Sequence, residues 1–151
     1  MNDKPDGYRS FVLTAQNVIR YWTLLEPHID RALEHGVGEL TSFDICKLAL
    51  NDQAQIWATV DHNEKLSCVT VTKIIVTQNT KHLHIVCLTS VDNTVRNMRD
   101  QFHNLEDFAK QNGCKSLQVW GRKGWERKLK PLKSRSGNSF KTLYYVFDQE
   151  L

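Results

Sequence analysis

Apolar residues recur with two different periods along this chain, and the change of period separates helical from extended segments. From residue 14 to residue 50 they recur every three or four positions, which is typical of helices with one buried face. Thr14 can cap the first helix. Pro27 either kinks this helix or begins a second one, because proline has no amide hydrogen to donate. A short helix is predicted to begin at residues 41–44, with the Asp44 carboxylate in its positively polarised first turn.

From residue 55 the period changes to two and β-branched side chains become frequent, which predicts strands. We expect three of them, over residues 56–60, 66–77 and 81–88. The polar segments between them are short enough to join antiparallel neighbours. The sequence therefore predicts an antiparallel group of strands before the next helix.

A strand–helix–strand unit follows, and the rest of the chain is organised around it. The helix is predicted over residues 94–111, and its apolar face carries Phe102, Leu105 and Ala109, which we expect to pack on the sheet. The next strand is predicted at residues 116–120. Short connections favour a right-handed crossover, which makes this strand a parallel neighbour of the strand before the helix.

The remaining sequence predicts three further elements: a short helix over residues 124–132, a basic loop over 133–138 and a closing strand over 142–147. Gly124 is expected to permit a tight turn from strand into helix. Trp125 is expected to bury its ring beside Trp120 or the crossover helix. The order of elements predicts one mixed α/β domain over residues 11–151, preceded by a flexible leader over residues 1–10.

Composition narrows the classes of function. No run of about 18 apolar residues is present, so no membrane span is expected, and the polar N-terminus lacks the apolar core of a signal peptide. An intracellular location, or packaging by an intracellular process, is therefore expected. The four cysteines are scattered without C-x-x-C spacing, which predicts buried thiols in a reducing compartment. A net charge of +3 is too small to indicate nucleic-acid binding by itself.

Several phrases carry a resemblance to a known family. They are residues 25–27 with 31–33 and 35–36, residues 55–60, residues 105–109 with 112–114, residues 121–127, and an acidic residue followed by Leu151. With the order of elements, they resemble the Gcn5-related N-acetyltransferases, and most of all the small acetyltransferase-like proteins encoded among bacteriophage structural genes. The resemblance implies a central mixed β-sheet with a crossover helix and flanking helices. It also implies a location in the host cytoplasm, the virion or both.

The resemblance further implies a site for acetyl-coenzyme A. In that fold the central strand splays from its parallel neighbour, the pantetheine arm lies in the gap, and the pyrophosphate rests on amides at the helix N-terminus. The matching candidates for cofactor binding are Leu88, Thr89, Ser90, Val91, Thr94, Arg96 and Arg122. The family usually has a glycine-rich phrase at this turn, but residues 89–96 contain no glycine, and Asp92 adds negative charge that Arg96 offsets in part. We expect Val91 and Thr94 to narrow the gap and binding to be weak or absent.

Histidines supply the one candidate catalytic base. His84 lies on the predicted central strand, where the family often places a group that deprotonates the amine, and a half-exposed or core-edge histidine is the structural alternative. His82 points to the same face, but no third ligand is apparent for a metal ion, so no metal site is predicted. The helix after the fifth strand offers no tyrosine to protonate the departing thiolate, and Tyr144 and Tyr145 lie in the last predicted strand.

A basic run extends from Arg122 to Arg135 and contains one acidic residue, Glu126. It is either a solvated surface or a patch that faces the phosphates of coenzyme A or of nucleic acid.

Two functions from different classes remain. One is an acetyl-coenzyme-A-dependent N-acetyltransferase with an unknown amine acceptor. The other is a non-catalytic acetyltransferase-like protein that contacts other phage or virion proteins or DNA. The missing glycines and the missing acid–base pair favour the second function.

Overall fold

A computed structural model describes residues 7–34, 38–90, 96–121 and 124–151, and side chains within them except those of Arg96 and Asn97. The described elements are β1 (Arg9–Val12), α1 (Ala15–Leu33), α2 (Ser42–Leu50), β2 (Gln55–Val60), β3 (Leu66–Val76), β4 (Lys81–Ser90), α3 (Arg96–Gln111), β5 (Ser116–Val119) and α4 (Trp125–Leu129). None of these helices has the length and apolar character needed to cross a bilayer.

The strands form one five-stranded sheet whose spatial order, β1-β2-β3-β4-β5, equals their order in the chain. Neighbours from β1 to β4 are antiparallel, whereas β4 and β5 are parallel with α3 between them in sequence. The predicted mixed sheet with a crossover helix is therefore confirmed.

The helix starts follow from local capping. The Thr14 hydroxyl accepts a hydrogen bond from the amide of Asn17 at 3.3 Å. At α2, the amide of Thr41 donates to the Asp44 carboxylate at 2.9 Å while the Thr41 hydroxyl accepts from the Asp44 amide, so two otherwise unpaired donors are satisfied. Pro27 lies inside the continuous helix α1, on an exposed position, so it does not begin a second helix.

The sheet has one buried cluster on each face. The first lies under α3 and includes Leu83, Ile85, Leu88, Met98, Phe102, Leu105 and Ala109. The second lies under α1 and α2 and includes Val18, Leu25, Ile29, Ile45, Val69, Val71 and Cys87. The predicted burial of Phe102, Leu105 and Ala109 is confirmed.

The predicted closing strand over residues 142–147 is wrong. This segment has no regular structure and its side chains are exposed. A run of aromatic and β-branched residues forms a strand only where a neighbouring strand pairs with it, and no described strand pairs with this segment. At the other end of the chain, β1 begins at Arg9, inside the range assigned to the leader.

Candidate functional site

The sheet has a gap beside the end of β4, because β5 ends at Val119 while β4 continues to Ser90. The two strands pair from His82 with Ser116 as far as Ile85 with Val119. Beyond this point β4 continues to Ser90 and keeps its pairing with β3, but no described residue pairs with its other edge. The backbone groups of residues 86–89 on that edge are therefore available to an extended ligand, which could pair with them as an added strand would.

A bulge in β4 coincides with the start of the gap. Val71 on β3 faces Cys87, and its neighbour Thr72 faces Ile85, so Val86 is an extra residue without a partner on β3. A bulge bends its strand and increases the local twist. The bulge lies one residue beyond the last parallel pair, Ile85 with Val119.

The structure describes the predicted cofactor residues only in part. Leu88 is buried in the cluster under α3, whereas Thr89 and Ser90 are half-buried at the end of β4. Arg96 is the first residue of α3. Val91, Thr94 and Arg122 lie outside the described residues, as does Asp92, so the predicted narrowing of the gap by Val91 and Thr94 stays a prediction.

Arg31 adds a positive charge to this end of β4, a role that no sequence pattern predicted. Its guanidinium donates to the Thr89 hydroxyl at 3.1 Å and lies 3.2 Å from Nδ1 of His28, one turn earlier on α1. Burial and the charge of Arg31 lower the pKa of His28, so this ring is a neutral neighbour. Because 58 residues separate Arg31 from Thr89 in the chain, no local pattern could indicate the contact.

His84 lies just before the gap, on the sheet face opposite Leu83 and Ile85. Its ring centroid is 4.5 Å from that of Trp120, and its Nδ1 atom is buried without a hydrogen-bond partner among the described residues. Burial, with smaller effects from His82 and Lys73, lowers the pKa of His84 to about 4. The imidazole is therefore neutral at pH 7, and a base with so low a pKa gives little driving force for proton abstraction.

His82 is an even more enclosed neighbour of His84. Its ring is 6.4 Å from that of His84, neither of its ring nitrogens has a hydrogen-bond partner among the described residues, and burial lowers its pKa. No group of three metal-ligating side chains occurs in the described parts of the chain. The two histidines are thus a pair of neutral rings at the edge of the core.

Cys87 is the nucleophilic side chain nearest the start of the gap in sequence, and it is inert. It is buried in the cluster under α1, and burial raises its pKa to about 12. A thiol attacks as the thiolate, so Cys87 has a packing role.

The segment from Gly121 to Trp125 has a structural role, but the glycine that matters is not the one predicted. Gly124 has a φ of −60°, which any residue can adopt, so its predicted role in a tight turn is wrong. The glycine that sterics require is Gly121, where an added Cβ would lie 2.6 Å from Cδ1 of Trp125. Trp125 is partly buried against the cluster under α3, whereas Trp120 is exposed beside His84.

The basic run is partly engaged within the protein. Arg135 forms an ion pair with Asp107, and its backbone amide donates to Glu106 at 3.0 Å. The Lys128 ammonium lies 5.2 Å from the ring centroid of Trp125. Arg122 and Lys123 are outside the described residues, so the run as a whole cannot be treated as one free surface.

Comparison with solved structures identifies the architecture. The chain is similar to an aminoglycoside acetyltransferase from an uncultured soil metagenomic sample, with a TM-score of 0.64 and 13% identity over 95% of this chain and 99% of the other. It is also similar to a probable acetyltransferase, with a TM-score of 0.66 and 11% identity over 94% and 99% of the two chains.

A third similar structure is the ribosomal-protein-alanine N-acetyltransferase from Brucella melitensis biovar Abortus 2308, with a TM-score of 0.60 and 11% identity over 95% and 99%. The sequence matches no family model, and the comparison with curated proteins also finds no match. At these identities the likeness establishes the fold, which is that of the Gcn5-related N-acetyltransferases.

Proposed function

We propose that this chain is an acetyltransferase-like protein with a degenerate cofactor site, and that it acts as a bacteriophage virion or assembly protein rather than as an efficient enzyme. Its place of action would be the host cytoplasm, the virion or both, and its partners other phage proteins. The main observation against efficient catalysis is the environment of His84. This candidate base on β4 has a pKa of about 4 and lies against the Trp120 ring.

The sequence of the turn after β4 supports the same proposal. Amides at a helix N-terminus bind a pyrophosphate closely only if the side chains allow the approach. Residues 89–96 contain no glycine, and the sequence there includes Asp92, whose negative charge would repel a pyrophosphate. The phage role rests on the resemblance of the phrase from Gly121 to Arg127.

One observation favours the alternative, an active N-acetyltransferase. The gap beyond Ile85 fits the pantetheine arm of acetyl-coenzyme A, which would pair with the backbone of residues 86–89 on β4. When bound, the cofactor would supply the thioester from which the amine takes its acetyl group. His84 would then have to accept the amine proton, and Arg31 would add positive charge near Thr89.

A calorimetric titration of the full chain with acetyl-coenzyme A tests the proposal. We expect weak or no binding by the wild type. Asp92→Gly should bind more tightly, because it removes both a repulsive charge and a β-carbon. Asp52→Gly is a matched control: it removes the same charge from the turn after α2, where a φ of 58° suits glycine.

Low-micromolar binding by the wild type, together with acetylation of a primary amine, would instead establish the active enzyme. Detection of the protein in purified phage particles by mass spectrometry tests the virion role separately. Its absence from the particles of a phage that produces it would restrict the proposal to an assembly role in the host cytoplasm.

A further inference from the structure

We infer that this protein binds a medium-chain fatty acid in a cavity bordered by β5, α3, α4 and the C-terminal segment of the same chain. The cavity lies along the edge of β5 that faces away from β4, and none of its described lining residues belongs to β4. The inference therefore concerns a different site from the gap beside the end of β4, and it does not depend on the proposed function.

The size and walls of the cavity suit an apolar ligand. Its volume is about 770 Å³, within the range of about 300–1,000 Å³ that is typical of small-molecule sites. Hydrocarbon that replaces water against apolar walls lowers the free energy, so these walls favour an apolar body. Three elements supply them: Phe102 and Ala109 from α3, Leu117 and Val119 from β5, and Trp125 and Leu129 from α4.

The chain after α4 borders the cavity without filling it. The Phe140 ring packs on Phe102 with centroids 5.9 Å apart, and the Thr142 hydroxyl donates to Glu126 on α4 at 2.9 Å. These contacts fix the start of the C-terminal segment on α3 and α4. Residues 143–146 line the cavity, yet their side chains are between 59 and 81% exposed, so the space beside β5 remains for a ligand.

The charges at the cavity favour an anion. Its described lining contains four lysines and two glutamates, so the balance is positive. The buried Glu106 carboxylate accepts from the Lys110 ammonium at 2.9 Å, which matches one charge of each sign. A carboxylate head group would therefore meet unpaired cations at the rim. Three lysines of the lining have no ion pair with another described residue: Lys115, Lys133 and Lys141.

The arrangement along β5 sets the orientation and length of the ligand. Lys115 directly precedes the strand, whereas Trp120 and Trp125 line the cavity beyond its other end. The extended wall from Ser116 to Trp120 spans about 13 Å. A saturated chain gains about 1.3 Å per carbon, because its bonds of about 1.5 Å form a zigzag, so about ten carbons match the wall. We therefore place the carboxylate at Lys115 and the end of the chain near Trp125.

Isothermal titration calorimetry of the full chain with hexanoate, octanoate and decanoate tests the inference. We expect binding to tighten about tenfold with each added pair of methylene groups, because each buried methylene strengthens binding about threefold to fourfold. Decylamine has the same chain with the opposite charge and should bind about fivefold more weakly than decanoate. On addition of decanoate, the largest amide shifts in NMR spectra should occur in residues 116–119.

Two variants test the two ends of the site. Lys115→Glu should weaken decanoate binding about fivefold, whereas Lys65→Glu, in the exposed turn between β2 and β3, should bind like the wild type. Leu117→Trp adds volume to the wall. It should remove the gain in affinity from octanoate to decanoate and change hexanoate binding little, which distinguishes a shortened cavity from a damaged fold.

Four results would overturn the inference. The first is a wild type that binds no decanoate up to the solubility limit of the ligand. The second is equal affinity for decanoate and decylamine, since the lysines would then not select the charge. The third is a Lys115→Glu variant that binds decanoate as tightly as the wild type. The fourth is a set of amide shifts centred on α1 and α2 instead of β5.

Discussion

Buried ring nitrogens on β4 link the stability of this protein to pH. His84 has a pKa of about 4 in the folded state, against 6.5 for a free histidine, and His82 shifts in the same direction. Between these two pH values the unfolded chain binds a proton that the folded chain does not. The stability that these neutral rings contribute is therefore fully present above pH 6.5, and it is lost as the pH falls towards 4.

The His84→Gln variant should show a shallower loss of stability between pH 6.5 and pH 4 than the wild type. For a partly exposed ring screened by solvent, we expect the His84 contribution to be about 1–2 kcal/mol. Urea unfolding at a series of pH values measures it. Parallel curves of stability against pH for the wild type and His84→Gln would contradict this linkage.

Gly121 is a second position at which one residue decides the packing. Because an added Cβ would lie 2.6 Å from Trp125 Cδ1 and 3.1 Å from its Cγ, Gly121→Ala should displace the indole and cost about 1–3 kcal/mol. Gly124→Ala has no atom within 4 Å of the added Cβ and should be neutral or stabilising by less than about 1 kcal/mol. Thermal unfolding compares the two variants, and equal effects would show that the indole accommodates the methyl group.

At the scale of elements, a buried polar network fixes α3 on the sheet. Gln101 of α3 is fully buried, and its amide nitrogen donates to the Thr59 hydroxyl of β2 at 2.9 Å. Its amide oxygen accepts from the Thr70 hydroxyl of β3. Since each amide atom meets a different strand, the network defines the rotation of α3 as well as its contact with the sheet.

Gln101→Leu should destabilise the protein by about 1–3 kcal/mol, because it leaves two buried hydroxyl groups without their partner. Urea unfolding provides the measurement. Gln111→Leu, at the exposed end of the same helix, should change the free energy of unfolding by less than about 0.5 kcal/mol. A Gln101→Leu variant as stable as the wild type would mean that Thr59 and Thr70 find other partners.

Elements with a long periodic pattern were predictable from the sequence, and elements that depend on distant neighbours were not. The pattern predicts α3 and β3 because many residues repeat the same spacing. Strand β1 has four residues, which is too short for a periodic signal. Residues 142–147 have a strand pattern, but the structure gives them no partner strand.

The same distinction applies to the candidate site. The gap between β4 and β5 was expected from the family resemblance, and the pairing that ends at Ile85 agrees with it. The role of His84 could not be decided from sequence, because its pKa depends on burial first and then on His82 and Lys73, and its ring lies beside Trp120. The contact between Arg31 and Thr89 exists only once α1 lies along the sheet.

On the scale of the whole molecule, the identical order of strands in space and in sequence bears on how the chain finds its structure. Strands β2, β3 and β4 are joined by two short turns, so the loop-closure entropy lost in pairing them is small. Strand β5 can pair with β4 only after α3 has formed, since two parallel strands need a crossover connection between them. During synthesis, the antiparallel strands leave the ribosome before the crossover helix. Most of the sheet can therefore form before β5 pairs with β4 and defines the gap.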